Sequence, residues 1–130
     1  MTDDTGIWII AGLMVVTAAG IAGFWLTWFR QDHSEEWLPD GYVDHEAPFV
    51  FSDSVLAIVL VVAAVLLVME EPVGERLALV AAGMLGFLGI LDAAYFWRTG
   101  LFARERDGLA NLAVVAGILT MGLILAVRFL

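Results

Sequence analysis

The sequence predicts an all-α membrane protein, an up-down bundle of four transmembrane helices with a short amphipathic first loop. The 130-residue chain is 62% hydrophobic and its mean hydropathy is +0.91, well above the composition of a soluble domain, which is about half apolar. A bilayer core about 30 Å thick needs roughly 20 apolar residues per helix, and four segments reach that length. The chain therefore forms a single integral membrane domain over residues 1–130.

The four predicted spans cover residues 7–29, 48–69, 77–97 and 109–127. Each span is apolar on all sides, whereas a membrane strand alternates apolar with polar residues over about 10 positions, so helices are predicted. The first span follows an acidic stretch and exceeds the apolar region of a signal peptide, which is about 7 to 15 residues long. We therefore expect it to be retained as a helix of the bundle.

The connections between spans predict the topology. The first covers residues 30–47, and the other two, 70–76 and 98–108, are short. Short links between helices produce antiparallel neighbours, which gives the up-down order.

The first loop has the composition of a surface segment. Pro39 followed by Asp40 and Gly41 predicts a tight turn. Trp37 and Tyr42 flank that turn, and amphipathic aromatic side chains prefer the headgroup region. We expect this loop to lie on the membrane surface.

Arginine near the span ends predicts the orientation. The positive-inside rule places the richer side in the cytoplasm. In the up-down order one side carries Arg30, Arg98, Arg104 and Arg106, and the other carries Arg76 and Arg128. This distribution favours a prokaryotic plasma membrane protein with both termini outside.

The charge balance excludes some classes of function. The formal net charge is −9, and lysine is absent. Almost all acids lie outside the spans, so the solvated surfaces are negative and poorly suited to nucleic acid. This composition is halophile-like, although a high-GC genome explains the absence of lysine equally well. The absence of cysteine excludes disulfides and thiolate chemistry.

Asp92 is the only charged residue between positions 77 and 97. A carboxylate in hydrocarbon is costly unless it is paired, neutralised or hydrated, and such residues often mark a site. The structural alternatives are a hydrogen bond to Asn111 and an ion pair with Arg30 or Arg98.

Other polar residues gather at the same end of the predicted bundle. Asp53 lies about five residues into the second span, and Asn111 lies near the start of the fourth. The opposite halves of the second and third spans carry no polar side chain, which predicts a one-sided pocket with an apolar floor. Asp53 also has a structural interpretation as a helix N-cap, together with Ser52 and Ser54.

Small residues three and four positions apart predict which helix faces pack. Such stripes allow helices to approach closely in lipid. One stripe in the third span turns Asp92 toward another helix, and we expect a partner stripe in the first span. The two stripes consist of Ala82, Gly86, Gly89 and Ala93, and of Ala19, Gly23 and Thr27.

Aromatic residues near the carboxylates have two interpretations. Trp25, Trp28, Tyr95 and Trp97 fit an aromatic belt at one membrane boundary, with Trp8 at the other. Alternatively, Tyr95 lies one turn beyond Asp92 and donates a hydrogen bond to it.

Metal binding is weakly indicated. His33 and His45 lie in the acidic first loop, but they show no known ligand spacing. We therefore predict no metal and no cofactor.

These observations predict a non-enzymatic protein that binds or transports a small cationic or amphipathic molecule, or a proton. Asp92 supplies the charge or exchanges the proton, Asp53 is a second acceptor, and Asn111 and Tyr95 orient the ligand. A bundle this small has little interior, so we expect a homo-oligomer or a partner membrane protein, surrounded by lipid.

Two alternatives remain open. One is a structural or interaction subunit of a larger membrane complex. The other is a lipid-active enzyme that uses the carboxylates with His33 or His45.

Overall fold

Four helices account for nearly all of the chain that the computed structural model describes, which is residues 4–30, 41, 47–100 and 108–130. All four are long and apolar enough to cross a membrane. The all-α four-helix fold is therefore confirmed. The helices are α1 (Asp4–Arg30), α2 (Phe49–Val68), α3 (Pro72–Thr99) and α4 (Gly108–Phe129).

Most of the first loop, including His33 and His45, lies outside the described residues. Gly41 is described, and its φ of 78° lies in the left-handed region that favours glycine. Pro39 and Asp40, the other residues of the predicted turn, lie outside the described residues.

Each helix packs against its neighbours in sequence, and α1 touches α4 along a much smaller contact. Over the described residues, α1 does not contact α3, and α2 does not contact α4. The helices therefore stand at the corners of a four-sided bundle, and the α1–α4 side is the least closely packed.

Every helix turns one row of residues, its inner stripe, toward its neighbours. Members of a stripe alternate between three and four positions apart and are buried or half-buried. This is the spacing of left-handed helix packing. The inner stripes are Ile7, Ala11, Met14, Ala18, Ile21, Trp25 and Trp28 in α1; Phe49, Asp53, Leu56, Leu60, Ala63 and Leu67 in α2; Gly74, Ala78, Ala81, Leu85, Leu88, Asp92 and Tyr95 in α3; and Asn111, Val115, Ile118, Gly122, Leu125 and Phe129 in α4.

The two ends of the bundle differ in chemistry. At the carboxylate end, where α1 and α3 finish and α2 and α4 begin, the stripes carry the polar residues. Below them lies a continuous apolar cluster that starts at Leu56 and Leu88 and reaches Ile7 and Leu67 at the opposite end. The part of the bundle beyond the carboxylates is therefore apolar, and the pocket predicted above it stays a prediction.

Helices α3 and α4 approach each other closely at Gly122. A Cβ placed on Gly122 would lie 3.2 Å from Leu85 Cβ, 3.3 Å from the Ala82 carbonyl oxygen and 3.4 Å from the Gly86 nitrogen. In lipid, where packing replaces the hydrophobic effect, such backbone contact stabilises a helix pair.

The predicted partner of the α3 stripe is therefore wrong. The stripe at Ala82, Gly86 and Gly89 packs on α4, whereas Ala19 and Gly23 of α1 are exposed. Sequence spacing identifies a helix face that consists of small residues, but the position of that helix in the bundle decides which neighbouring helix packs on the face.

The link between α2 and α3 is shorter than predicted, because α3 begins at Pro72, five residues before the predicted span. Proline is favoured in a first helical turn, where its missing N–H has no helical partner in any case. Glu70 N–H donates to the Leu67 carbonyl and Glu71 N–H to the Leu66 carbonyl. This pair of bonds is a Schellman motif, and it requires Glu70 to adopt a φ of 60°.

Replacing Gly122 with leucine is expected to lower the free energy of unfolding by about 1–3 kcal/mol, because the added atoms overpack the α3–α4 contact. Gly117→Leu is the matched control, since Gly117 is exposed and no atom lies within 4 Å of its added Cβ. Unfolding in mixed detergent and sodium dodecyl sulfate, followed by circular dichroism, measures both. Equal losses in the two variants would contradict the close approach.

Glu70→Gly is expected to raise the free energy of unfolding by about 1 kcal/mol, because glycine adopts the left-handed conformation without a steric cost. Glu71 has an extended backbone with φ −84°. Glu71→Gly is therefore expected to destabilise by a few tenths of a kcal/mol, through the added freedom of the unfolded chain. The same unfolding assay compares them, and a loss of stability in Glu70→Gly would contradict the strained turn.

Candidate functional site

Asp53 lies in the second turn of α2, where the inner stripe of that helix meets α1. The indole Nε1–H of Trp25 donates a hydrogen bond of 2.8 Å to Asp53 Oδ2. The N-cap position of α2 is Pro48, and no side chain makes a capping hydrogen bond there. The N-cap interpretation of Asp53 is therefore wrong, and the carboxylate joins two helices instead.

The second oxygen of the same carboxylate is in a different situation. Asp53 Oδ1 is buried and has no hydrogen-bond partner among the described residues. A buried acceptor without a donor costs about 1–3 kcal/mol, and more when the group is charged. Asp53 therefore presents one satisfied oxygen and one unsatisfied oxygen in the same side chain.

Asp92 lies on the inner stripe of α3, which is the helix on the other side of α2. It is half-buried, and it is close enough to Asp53 for the two carboxylates to interact electrostatically. Two like charges repel strongly where little water separates them. The two acids thus lie on the inner stripes of adjacent helices at the same end of the bundle.

Of the structural partners predicted for Asp92, neither Arg30 nor Arg98 forms an ion pair with it among the described residues, and the hydrogen bond to Asn111 stays a prediction. Within the described part of the chain, the charged group acting on Asp92 is Asp53 and not Arg30 or Arg98. The described residues at this site are therefore acidic without a basic counterpart, and such groups can bind a cation or exchange a proton.

Two tryptophans that were predicted to form an aromatic belt belong to the interior. Trp25 and Trp28 are each only 6% exposed, and their rings lie 5.2 Å apart in an edge-to-face arrangement. Trp97 and Trp8, by contrast, are 79% and 64% exposed, as an aromatic belt requires. The belt prediction is therefore wrong for the first two.

The sequence does contain a signal for these two tryptophans. They continue the spacing of Ala11, Met14 and Ala18 by steps of three and four, which places them on the inner face of α1. Trp25 and Trp28 also lie near the membrane boundary, where an aromatic belt is expected. At this end of α1 a tryptophan can therefore fit either the belt or the inner stripe.

Asn111 and Tyr95 lie at the carboxylate end, as predicted. Both occupy inner-stripe positions and are half-buried, Asn111 on α4 and Tyr95 on the turn of α3 after Asp92. The Tyr95 ring lies 6.1 Å from that of Phe96, and its backbone carbonyl accepts a hydrogen bond from the Thr99 hydroxyl. Their roles in orienting a ligand stay predictions.

A groove of about 390 Å³ lies at the opposite end of the bundle, far from the carboxylate pair. Its lining residues are Ile7, Trp8, Leu67, Val68, Glu70, Glu71, Pro72 and Glu75. The three glutamates are exposed, so water solvates their charges. The groove is thus the crevice around the α2–α3 turn, and its acids differ from the partly desolvated pair at the other end.

The carboxylate pair has the chemistry of a cation or proton site. Among the described residues, no three histidine, cysteine, aspartate or glutamate side chains come together as metal ligands, and His33 and His45 lie outside those residues. Comparison of the chain with protein-family models, curated proteins and solved structures gives no match.

Trp25→Phe keeps an aromatic ring but removes the donor to Asp53. It is expected to lower the free energy of unfolding by about 1.5–3 kcal/mol, the contribution of a hydrogen bond to a charged group. Trp97→Phe is the matched control, and it is expected to change stability by less than about 0.5 kcal/mol because that side chain is exposed. Denaturation in mixed micelles measures both, and equal effects would exclude a stabilising role for the indole N–H.

Proposed function

We propose that this protein binds and transports a small cationic or amphipathic molecule, or a proton, at a pocket that opens at the carboxylate end of the bundle. The observation that carries the proposal is the pair of acids on adjacent helices, Asp53 and Asp92, with one buried oxygen unsatisfied. Intramembrane acids that face a bundle interior commonly mark ion pathways and proton relays. One positive charge on the ligand would relieve the repulsion between the two carboxylates.

The residues have distinct proposed roles. Asp92 supplies the charge or exchanges the proton, because the charged group that acts on it is another acid, Asp53, and not an arginine. Asp53 is the second acceptor, and Trp25 fixes its orientation through the 2.8 Å hydrogen bond. Asn111 and Tyr95 orient the ligand from the same end of the inner stripes.

The apolar floor supports access from one side. Leu56, Leu60 and Leu85 are nearly or completely buried and lie between the carboxylates and the opposite end. A polar path along the axis of one bundle would have to pass through these side chains. Transport therefore requires either a rearrangement of the helices or a site shared between copies of the chain.

Assembly with another membrane helix is the second candidate function. It is supported by the exposed small residues of α1, because no atom lies within 4 Å of a Cβ added to Gly20 or Gly23. Small residues on a helix surface allow close helix association in lipid. In this case the chain is a homo-oligomer or a subunit of a larger complex, and the carboxylate pair has a structural role.

The orientation and cellular location also belong to the proposal. The arginine distribution favours both termini outside a prokaryotic plasma membrane. The charge of the carboxylate end then faces the cytoplasm, because the C-terminus of α1 and the N-terminus of α2 lie there.

Asp92→Asn is expected to abolish proton release on addition of decylammonium chloride, and to weaken its binding about 10- to 100-fold, since a charged interaction worth about 1.5–3 kcal/mol is lost. A pH-indicator dye in weakly buffered detergent solution measures release, and isothermal titration calorimetry measures binding. Glu75→Gln is the matched control, because it removes an exposed acid at the opposite end.

Unchanged release and binding in Asp92→Asn would exclude Asp92 from the mechanism. If, in addition, a second protein co-purified with the wild-type chain, the assembly function would be favoured over cation binding.

A further inference from the structure

We infer that the ligand of the carboxylate pair is a protonated amine that retains at least one N–H, and that Trp25 sets this preference by occupying one oxygen of Asp53. The inference rests on the proposed function and narrows its ligand class. It separates amines with a hydrogen to donate from quaternary ammonium ions, which carry the same charge without a donor.

Trp25 determines which oxygen remains for a ligand. An indole nitrogen is a donor only and cannot accept a hydrogen bond. The Trp25 ring is 6% exposed and packs edge-to-face on Trp28. Its N–H is therefore held against Asp53 Oδ2, and Oδ1 is the acceptor left over.

The unsatisfied oxygen selects for a donor. Asp53 Oδ1 is buried and lacks a hydrogen-bond partner among the described residues. A charge without a donor reduces the electrostatic repulsion in the pair but leaves this oxygen without a hydrogen bond. An ammonium N–H supplies both the positive charge and the missing bond, and such charge-assisted bonds are the strong ones.

The surroundings of the pair suit an amine with an apolar body. Aromatic residues occupy the inner stripes beside the carboxylates, with Trp25 and Trp28 on α1 and Phe49 on α2. Aromatic rings contact both alkyl groups and cations favourably. The floor below the pair, at Leu56 and Leu88, is apolar and accepts hydrocarbon but no second charge.

The test compares two probes with the same alkyl chain, decylammonium and decyltrimethylammonium, on the full chain in phosphatidylcholine nanodiscs. Calorimetric titration gives each affinity, and protein-free nanodiscs correct for partitioning into lipid. Decylammonium is expected to bind at least about tenfold more tightly, a ratio that corresponds to about 1.4 kcal/mol. The ratio of the two affinities is the readout, because a general loss of structure weakens both probes.

Two variants test whether Asp53 and Trp25 cause the preference for decylammonium. Asp53→Asn is expected to reduce the ratio, since a neutral amide oxygen accepts a weaker hydrogen bond from an ammonium N–H than a carboxylate oxygen does. Trp25→Phe is expected to reduce the ratio, because the Asp53 carboxylate then loses the hydrogen bond that fixes its orientation. Trp97→Phe is the control and is expected to keep the wild-type ratio. Thermal unfolding by circular dichroism verifies that each variant is folded.

The outcomes separate this inference from the proposed function. If the wild-type chain binds both probes equally and Asp92→Asn loses both, the amine preference is overturned and cation binding stands. If sodium chloride at equal concentration displaces decylammonium, the site selects charge alone and the preference is again overturned. If neither probe binds the wild-type chain, the proposed function fails, and the inference fails with it.

Discussion

A polar side chain within the bilayer has to find its partners inside the protein, and this constraint governs the arrangement of the bundle. It places both intramembrane carboxylates on inner stripes and gives Asp53 a donor from another helix, the indole N–H of Trp25. That bond ties α1 to α2 at the end where the main apolar cluster has stopped. Packing holds the opposite end of the bundle together, whereas directional polar contacts act at the carboxylate end.

The two ends of the bundle therefore have different mechanical properties. At the α3–α4 contact the backbones lie so close that a Cβ added at Gly122 would be only 3.2 Å from Leu85 Cβ and 3.3 Å from the Ala82 carbonyl oxygen. The α1–α4 side has little contact, so α1 depends mainly on α2. We expect any rearrangement that admits a ligand to move α1 and α2 relative to α3 and α4, because α3 and α4 pack closely at Gly122 whereas α1 and α4 have little contact.

Sequence reasoning predicted the four spans because hydrocarbon length and hydropathy are properties of the chain itself. It also predicted that Asp53 and Asp92 lie at matching depth near one end of the bundle, since the antiparallel order fixes their depth. It did not predict the hydrogen bond of Trp25, because a tryptophan near a membrane boundary fits both an aromatic belt and an inner stripe. Only the contact between α1 and α2 decides between these two positions. The partner of the α3 small-residue stripe was wrong for a related reason, because spacing identifies a face without identifying its neighbour.

The regular spacing of the inner stripes also constrains how this chain can change in length. Adding one residue between Met14 and Trp25 would rotate everything beyond it by about 100°, since a helix has 3.6 residues per turn. The indole would then point toward lipid, although every residue of the site would still be present. The apolar cluster and the carboxylate end therefore depend on the same rotation of each helix about its axis. An insertion within a helix preserves the site only when it returns the later residues to the inner face, and an insertion of seven residues, about two turns, nearly does so.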